Sequence, residues 1–303
     1  AQKIYLLIYR IRASHIGLVQ LQDKIVVRFA LTIYPYSLGF VAVLPLLMIA
    51  AYSFYDIFHL KTKVWVGLDW YRDVLGSTRF WETFGRSLLF STIVLSIEIP
   101  LGIAIALTIP KKGVLNAVCL VCMSLPLLVP WNMIAMIWHV FLALAFGTGW
   151  TLKALPTWAA IVLMDVWHWT SLVVLLCFSS LTTIPSAFYQ AAAIDGASRW
   201  HVFRYIELPK MREVLIIALL LRFIDSFMVF IEPFRLNAGG PRSTTTFLAM
   251  ELGQEVISQD YGPASARAVI YFLIILVLSW AFKKALAARD SRKHPMGRGV
   301  SPQ

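Results

Sequence analysis

Apolar residues in this chain come in long runs, not at the alternating spacing of a half-buried strand or the 3.6-residue spacing of a surface helix. Six runs stand out: Phe29 to Tyr55, Ser87 to Ile109, Val114 to Leu142, Thr157 to Leu181, Val214 to Leu236 and Ala266 to Phe282. Each is about long enough to cross ~30 Å of hydrocarbon as a helix rising roughly 1.5 Å per residue. Pro35 and Pro45 interrupt the first run, and neighbouring helices in a bundle can satisfy the backbone groups they free. The pattern predicts an all-α membrane protein with six transmembrane helices. Ahead of the first run, Ile4 to Arg12 and Ile16 to Arg28 mix apolar and basic positions. Neither reaches the ~18 apolar residues of a span, so residues 1–28 read as a basic amphipathic segment on the membrane surface. The remainder divides into a transmembrane domain over 29–288 and a basic cytoplasmic tail over 289–303.

Composition supports a membrane setting. Of 303 residues 59% are hydrophobic and 14% charged, against about half and about a quarter in a soluble domain. A soluble enzyme would have to hide too much apolar surface, and a disordered chain would not carry it. No length remains for a fused nucleotide-hydrolysing domain. The net charge of +11 is assigned to cytoplasmic flanks of the spans, not to nucleic acid. With both termini inside, the cytoplasm receives five basic positions before the first span, Lys111 and Lys112, then Arg199, Arg204, Lys210 and Arg212, and the basic tail. That orientation satisfies the positive-inside bias. Cys119, Cys122 and Cys177 all lie in apolar runs and read as buried small hydrophobes. The first residues carry no small-residue cleavage site after a short apolar core, so no removed signal peptide is expected.

One cytoplasmic segment is too long for a plain connection. Residues 182–211 separate the fourth and fifth spans, whereas bundle connections are roughly two to eight residues. Within it stand Tyr189, Gln190, Ala191, Ala192, Ala193, Ile194, Asp195, Gly196 and Ala197. The alanines make a helix that another protein can approach closely, and Gly196 ends it. A second amphipathic stretch, Ser198 to Glu207, contains Phe203 and is expected to be closed by Pro209. Helix, glycine break and helix on one membrane face read as a docking element.

At these residues the chain resembles the permease subunits of binding-protein-dependent ABC importers. Their loop signature has the form EAA, three residues, Gly, nine residues, then I-x-L-P. Gln190-Ala191-Ala192, Gly196, Ile206, Leu208 and Pro209 fit that spacing, with Gln190 in place of Glu. Gly67 to Tyr71, Arg79 to Trp81, Leu127 to Pro130 and Asn237 to Pro241 resemble the maltose-type carbohydrate branch. Ile97 to Gly102, Met164 to Leu176 and Arg222 to Phe234 are most similar to the first permease subunit of glycerol importers. The resemblance implies a multi-pass protein of the bacterial inner membrane. It implies coupling through Gln190, Ala191, Ala192, Asp195, Gly196, Ala197, Phe203 and Pro209. It also implies a second permease subunit, two ATPase subunits holding ATP and Mg, and a periplasmic substrate-binding protein. The cargo it implies is a small polyol, foremost glycerol, or a related sugar.

Glu98, Asp165, Asp225 and Glu232 lie at membrane depth with one base, Arg222. A charge at a helix centre costs roughly 2.5–3.5 kcal/mol on insertion scales, so each needs a partner or a wet cavity. Arg222 and Asp225 are three apart and can pair on one helix face; with Val229 and Glu232 they form a stripe. That stripe is either a structural ion pair with a carboxylate at the loop edge or a lining of the translocation path. Asp165, His168 and Trp169 share a face of the fourth span and suit either a hydroxyl-rich ligand or a hydrogen bond to the fifth span. Glu98, two residues before Pro100, and Asn132, after Pro130 and Trp131, are further path candidates. No metal site is expected, because ligands at suitable spacing are missing. There is no G-x-x-x-x-G-K-[ST], H-E-x-x-H or G-x-S-x-G motif. The chain is therefore not expected to hydrolyse ATP. The rival reading is a self-sufficient secondary transporter coupled through the buried acids, for which a docking hairpin has no use. A membrane-embedded enzyme, lacking a catalytic cluster, is more distant.

Overall fold

A computed structural model describes residues 40–291 apart from 42, 60 and 61. The amphipathic segment 1–28, the start of the first expected span and most of the basic tail lie outside the described residues. The described part of the first span is α1, Val43–Tyr52. It gives way at once to a β-hairpin, β1 (Tyr55–His59) and β2 (Thr62–Trp65), paired antiparallel with Tyr55 opposite Trp65. This hairpin departs from the all-α expectation. Aromatic and β-branched residues favour it, and Phe54 stacks on Trp65 at 5.5 Å between centroids. A short surface helix α2 (Asp69–Gly76) leads into α3 (Thr78–Thr108), which carries the second span and tolerates Pro100 within it.

The third expected span is not one helix. α4 (Val114–Leu128) and α5 (Trp131–Phe146) meet at a bend of 98°. Pro126 and Pro130 explain the break. Proline lacks the N–H of a helical bond, and it pushes the preceding residue, here Val129 at ψ 124°, out of the helical region. After a 3-10 turn at Thr148–Leu152, α6 (Ala154–Thr182) is the fourth span. The hairpin of residues 182–211 follows as α7 (Ser186–Ile194) and α8 (Arg199–Val202). A π-helical turn at Phe203–Glu207 joins α8 to α9 (Leu208–Phe227).

Pro209 does not close the second helix. The helix runs through it, because the wider turn sends the Leu208 N–H to the Phe203 carbonyl, five residues back. This relieves the clash that a proline ring makes in an α-helix. The fifth span breaks after Phe227 but continues to Asn237, one residue past the expected Leu236. α10 (Ile231–Asn237) resumes after an irregular break at residues 228–230. The stripe expected from Arg222 to Glu232 is therefore split between two helices. α11 (Leu248–Ile257) and α12 (Tyr261–Ser291) complete the chain; α12 reaches three residues past the expected domain limit at 288. Among the described residues, four helices are long and apolar enough to cross a membrane, or five if α4 and α5 count as one broken span.

The core forms where α3, α6 and α9 meet. One apolar cluster holds Phe90, Val94, Ile134, Ile161, Met164 and Phe247; another holds Ala106, Val173, Val174, Cys177, Leu181 and Met211. Between them α3 and α6 come very close. A Cβ on Gly102 would lie 2.5 Å from Val173 Cγ1, so only glycine allows that approach. The N-terminal ends of α3, α11 and α12 are clasped by Glu251. It accepts from Arg79 Nε at 2.6 Å, Arg267 at 2.7 Å and Thr83 at 3.2 Å. Large apolar side chains on α4, α5 and α12 point outward, as lipid-facing surface does.

Candidate functional sites: a buried ion cluster and a helical hairpin

Among the described residues Arg222 is the largest side chain with no solvent exposure. Three helices supply its partners. From α3, Glu98 accepts from Nε at 2.9 Å and from one terminal nitrogen at 3.0 Å, a two-pronged pairing that matches the guanidinium fork. From α6, Asp165 accepts at 2.6 Å, and from the next turn of α9 Asp225 accepts at 2.5 Å. The Trp169 ring covers the guanidinium face at 4.4 Å, adding a cation–π contact in a desolvated site. Glu98 and Asp165 are fully buried, while 41% of the Asp225 side chain is exposed. The Arg222–Asp225 pair is thus one arm of a larger lock across α3, α6 and α9.

Beside the lock lies a cavity of about 240 Å³ lined by Trp131, Asp165, Asp225, Glu232 and residues 228–231. The break after α9 opens this space, since backbone leaving a helix retreats from its neighbours. Trp131, in the first turn of α5, packs on His168 at 4.8 Å and on Trp169 at 5.3 Å between ring centroids. His168 Nδ1 and Trp169 Nε1 are buried without a protein hydrogen-bond partner. The cavity offers the carboxylates of Asp165, Asp225 and Glu232 and the rings of Trp131 and Phe230 to a hydroxylated ligand. Asn132 is exposed and does not line this cavity, and Glu98 faces Arg222 instead of the opening. Trp131 was not among the path candidates; its signal was an aromatic directly after Pro130. Among the described residues no cluster of His, Cys, Asp and Glu could hold a metal ion.

The first half of the hairpin, the alanine helix and its glycine break, is built as its sequence suggests. α7 ends in a two-bond cap: the Gly196 N–H donates to the Ala193 carbonyl at 3.2 Å and the Ala197 N–H to the Ala192 carbonyl at 2.9 Å. Gly196 adopts φ 66°, the left-handed conformation such a cap requires. Ser198 caps α8 by accepting from the His201 N–H. Gln190, Ala191, Asp195, Gly196 and Ala197 are exposed, whereas Ala192 faces inward, Phe203 is half-buried and Pro209 lies on the exposed side of α9. Phe188, Ile194, Trp200 and Tyr205 leave a large apolar and aromatic surface uncovered, Ile194 at 87% exposure. A patch of this kind marks an interaction site.

Residues 98–289 match the family described as binding-protein-dependent transport system inner membrane component. The chain belongs to this family. It is the membrane-spanning subunit of an ABC importer for sugars, a multi-pass protein of the inner membrane. Such a permease works with a second permease subunit, ATPase subunits and a periplasmic binding protein. Similar proteins include the trehalose/maltose transport system permease protein MalF of Thermococcus litoralis. It is 31% identical over 278 residues, which span 82% of this chain and 93% of that protein. The diacetylchitobiose uptake system permease protein DasB of Streptomyces coelicolor is 28% identical over 233 residues, 71% of each chain. Among solved structures, a bacterial ABC transporter that imports the acidic polysaccharide alginate shares the fold. Its TM-score is 0.67 at 17% identity, covering 84% of this chain and 93% of that one.

Proposed function

We propose that this permease carries a di- or oligosaccharide, and that the cavity beside Arg222 is one station on its path. The observation that carries the reading is the pairing of aromatic rings with carboxylates around a space of about 240 Å³. Sugar hydroxyls find acceptors on Asp225 and Glu232, while the apolar face of a pyranose ring can lie on Trp131. Glycerol, the expectation from the runs around Asp165 and Arg222, is too small to cover these rings. Relatives named for trehalose, maltose and diacetylchitobiose support the larger cargo. Asp165 lines the station, His168 and Trp169 pack behind its Trp131 wall, and Glu98 holds Arg222 in place.

In this reading the 182–211 hairpin receives the ATPase stroke through Gly196, its flanking helices and the exposed ring patch. The chain crosses the membrane six times with both ends in the cytoplasm, residues 1–28 lying on the membrane surface. The positive-inside bias supports that orientation. Uptake by the assembled importer, measured with labelled trehalose, maltose, diacetylchitobiose and glycerol, is the test. Disaccharide uptake with none of glycerol is expected; uptake of glycerol alone would return the assignment to a small polyol.

A further inference from the structure

Within the hairpin, a buried carboxylate that joins its two helices has spare capacity. Glu207, at the end of the π-helical turn, is 3% exposed. One of its oxygens accepts from the Tyr189 hydroxyl at 3.3 Å and from the Arg199 guanidinium at 3.4 Å. Both bonds are long, and Arg199 is itself largely solvent-exposed. The other oxygen, Oε2, is buried with no protein donor at all. A carboxylate has room for about four hydrogen bonds, and a buried one gains from each that is filled.

A donor is close by. Tyr189, Arg199 and Glu207 share a cavity of about 220 Å³ with Ile109, Phe178 and Lys111. Lys111 belongs to the turn between α3 and α4, and its ammonium rests 4.0 Å above the Tyr189 ring centroid. Tyr189 therefore holds the cation on its ring face and the carboxylate on its hydroxyl. An exposed cation–π contact is a weak hold compared with a charged hydrogen bond to a buried carboxylate. The lysine stem is flexible and its charge compact, and the cavity leaves it room to swing.

We propose that Lys111 is a movable latch, which leaves the Tyr189 ring for Glu207 Oε2 in one of the two states of the transport cycle. In that state the α3–α4 turn and the hairpin are locked together by an ion pair; in the state seen here Lys111 rests on the Tyr189 ring instead. The inference rests on the reading of the hairpin as the ATPase dock, since the ATPases supply the movement that brings the two groups together.

The test uses the complete importer in proteoliposomes. Lys111→Met keeps the stem and removes the charge. It should lower sugar moved per ATP hydrolysed by about fivefold or more, within the usual range of coupling between sites. Lys111→Arg should restore the ratio. A Lys111→Cys, Glu207→Cys pair should cross-link much faster in one of two preparations, nucleotide-free or nucleotide-trapped. An unchanged ratio in Lys111→Met overturns the latch, whether or not the Glu207 variant folds, and so does equal cross-linking in both preparations. Trp200→Cys, cross-linked to the ATPase, separates the two readings. Capture with an unchanged Lys111→Met ratio removes the latch alone, while failure of capture removes the docking reading and the latch with it.

Discussion

Replacing Arg222 by leucine tests the buried lock most directly. The substitution removes the shared partner of Glu98 and Asp165, both without solvent contact to compensate. Breaking a buried ion pair from one side costs about 3–5 kcal/mol, because the remaining charge stays uncompensated. For a domain of this size that corresponds to a drop in unfolding midpoint on the order of 10 °C. From sequence spacing alone, Arg222→Leu combined with Asp225→Leu would be the rescuing pair. The geometry predicts otherwise. Asp225 is partly solvated, so its removal is mild, and the double change still strands Glu98 and Asp165. Rescue should come from Arg222→Leu with Glu98→Gln and Asp165→Asn, whose amides carry no charge and can bond to each other. The buried Cys177 thiol on α6 gives the assay: a thiol-reactive dye reports its exposure as detergent-solubilised complex is heated. If the Asp225 double variant recovers the midpoint and the amide triple variant does not, the three-helix lock is wrong.

Four further outcomes are expected. A Cβ at Gly196 meets nothing within 4 Å, so Gly196→Ala should cost only the left-handed backbone penalty of about 1 kcal/mol and keep most uptake. Gly196→Asp adds a charge at the proposed dock and should abolish uptake with membrane insertion intact; normal uptake in that variant would sink the docking role. Gly102→Val should separate α3 from α6 at a cost of about 1–3 kcal/mol, partly relieved by adding Val173→Ala. No relief in the double variant would mean that the close approach is not the cause. The purified chain alone should neither hydrolyse ATP nor carry sugar into vesicles, and proton-driven uptake by it would revive the secondary-carrier reading.

Apolar run length located α3, α6, α9 and α12 because spanning hydrocarbon is a matter of length and composition. It missed the break between α4 and α5, since hydropathy is blind to backbone direction; Pro126 and Pro130 held that information. Pro209 misled in the opposite sense, because a π turn in front of a proline is not written in composition. Gly196 was legible: a helix cap is local, and all its atoms lie within a few residues. The Arg222–Asp225 arm was equally local. Glu98 and Asp165 were visible as costly charges but not as partners of Arg222, because contacts across 124 and 57 residues leave no trace in the spacing of a single chain. The latch residues escaped for the same reason, with Lys111 far from Glu207 in sequence.

The π turn that accommodates Pro209 also joins the hairpin to the fifth span without a joint. From Arg199 to Phe227 the backbone is helical throughout, so the segment is a lever. Arg222, held from two neighbouring helices, is its fulcrum. At roughly 1.5 Å per residue the arm from Arg199 to Arg222 is about 35 Å long, and a tilt of about 10° sweeps its hairpin tip by some 6 Å. Beyond the fulcrum the arm is only five residues, ending where the helix breaks beside the cavity. A wide stroke at the proposed dock would be geared down to a shift of about 1 Å at Asp225 and its neighbours. That is the scale on which a hydrogen bond to a sugar hydroxyl is made or lost.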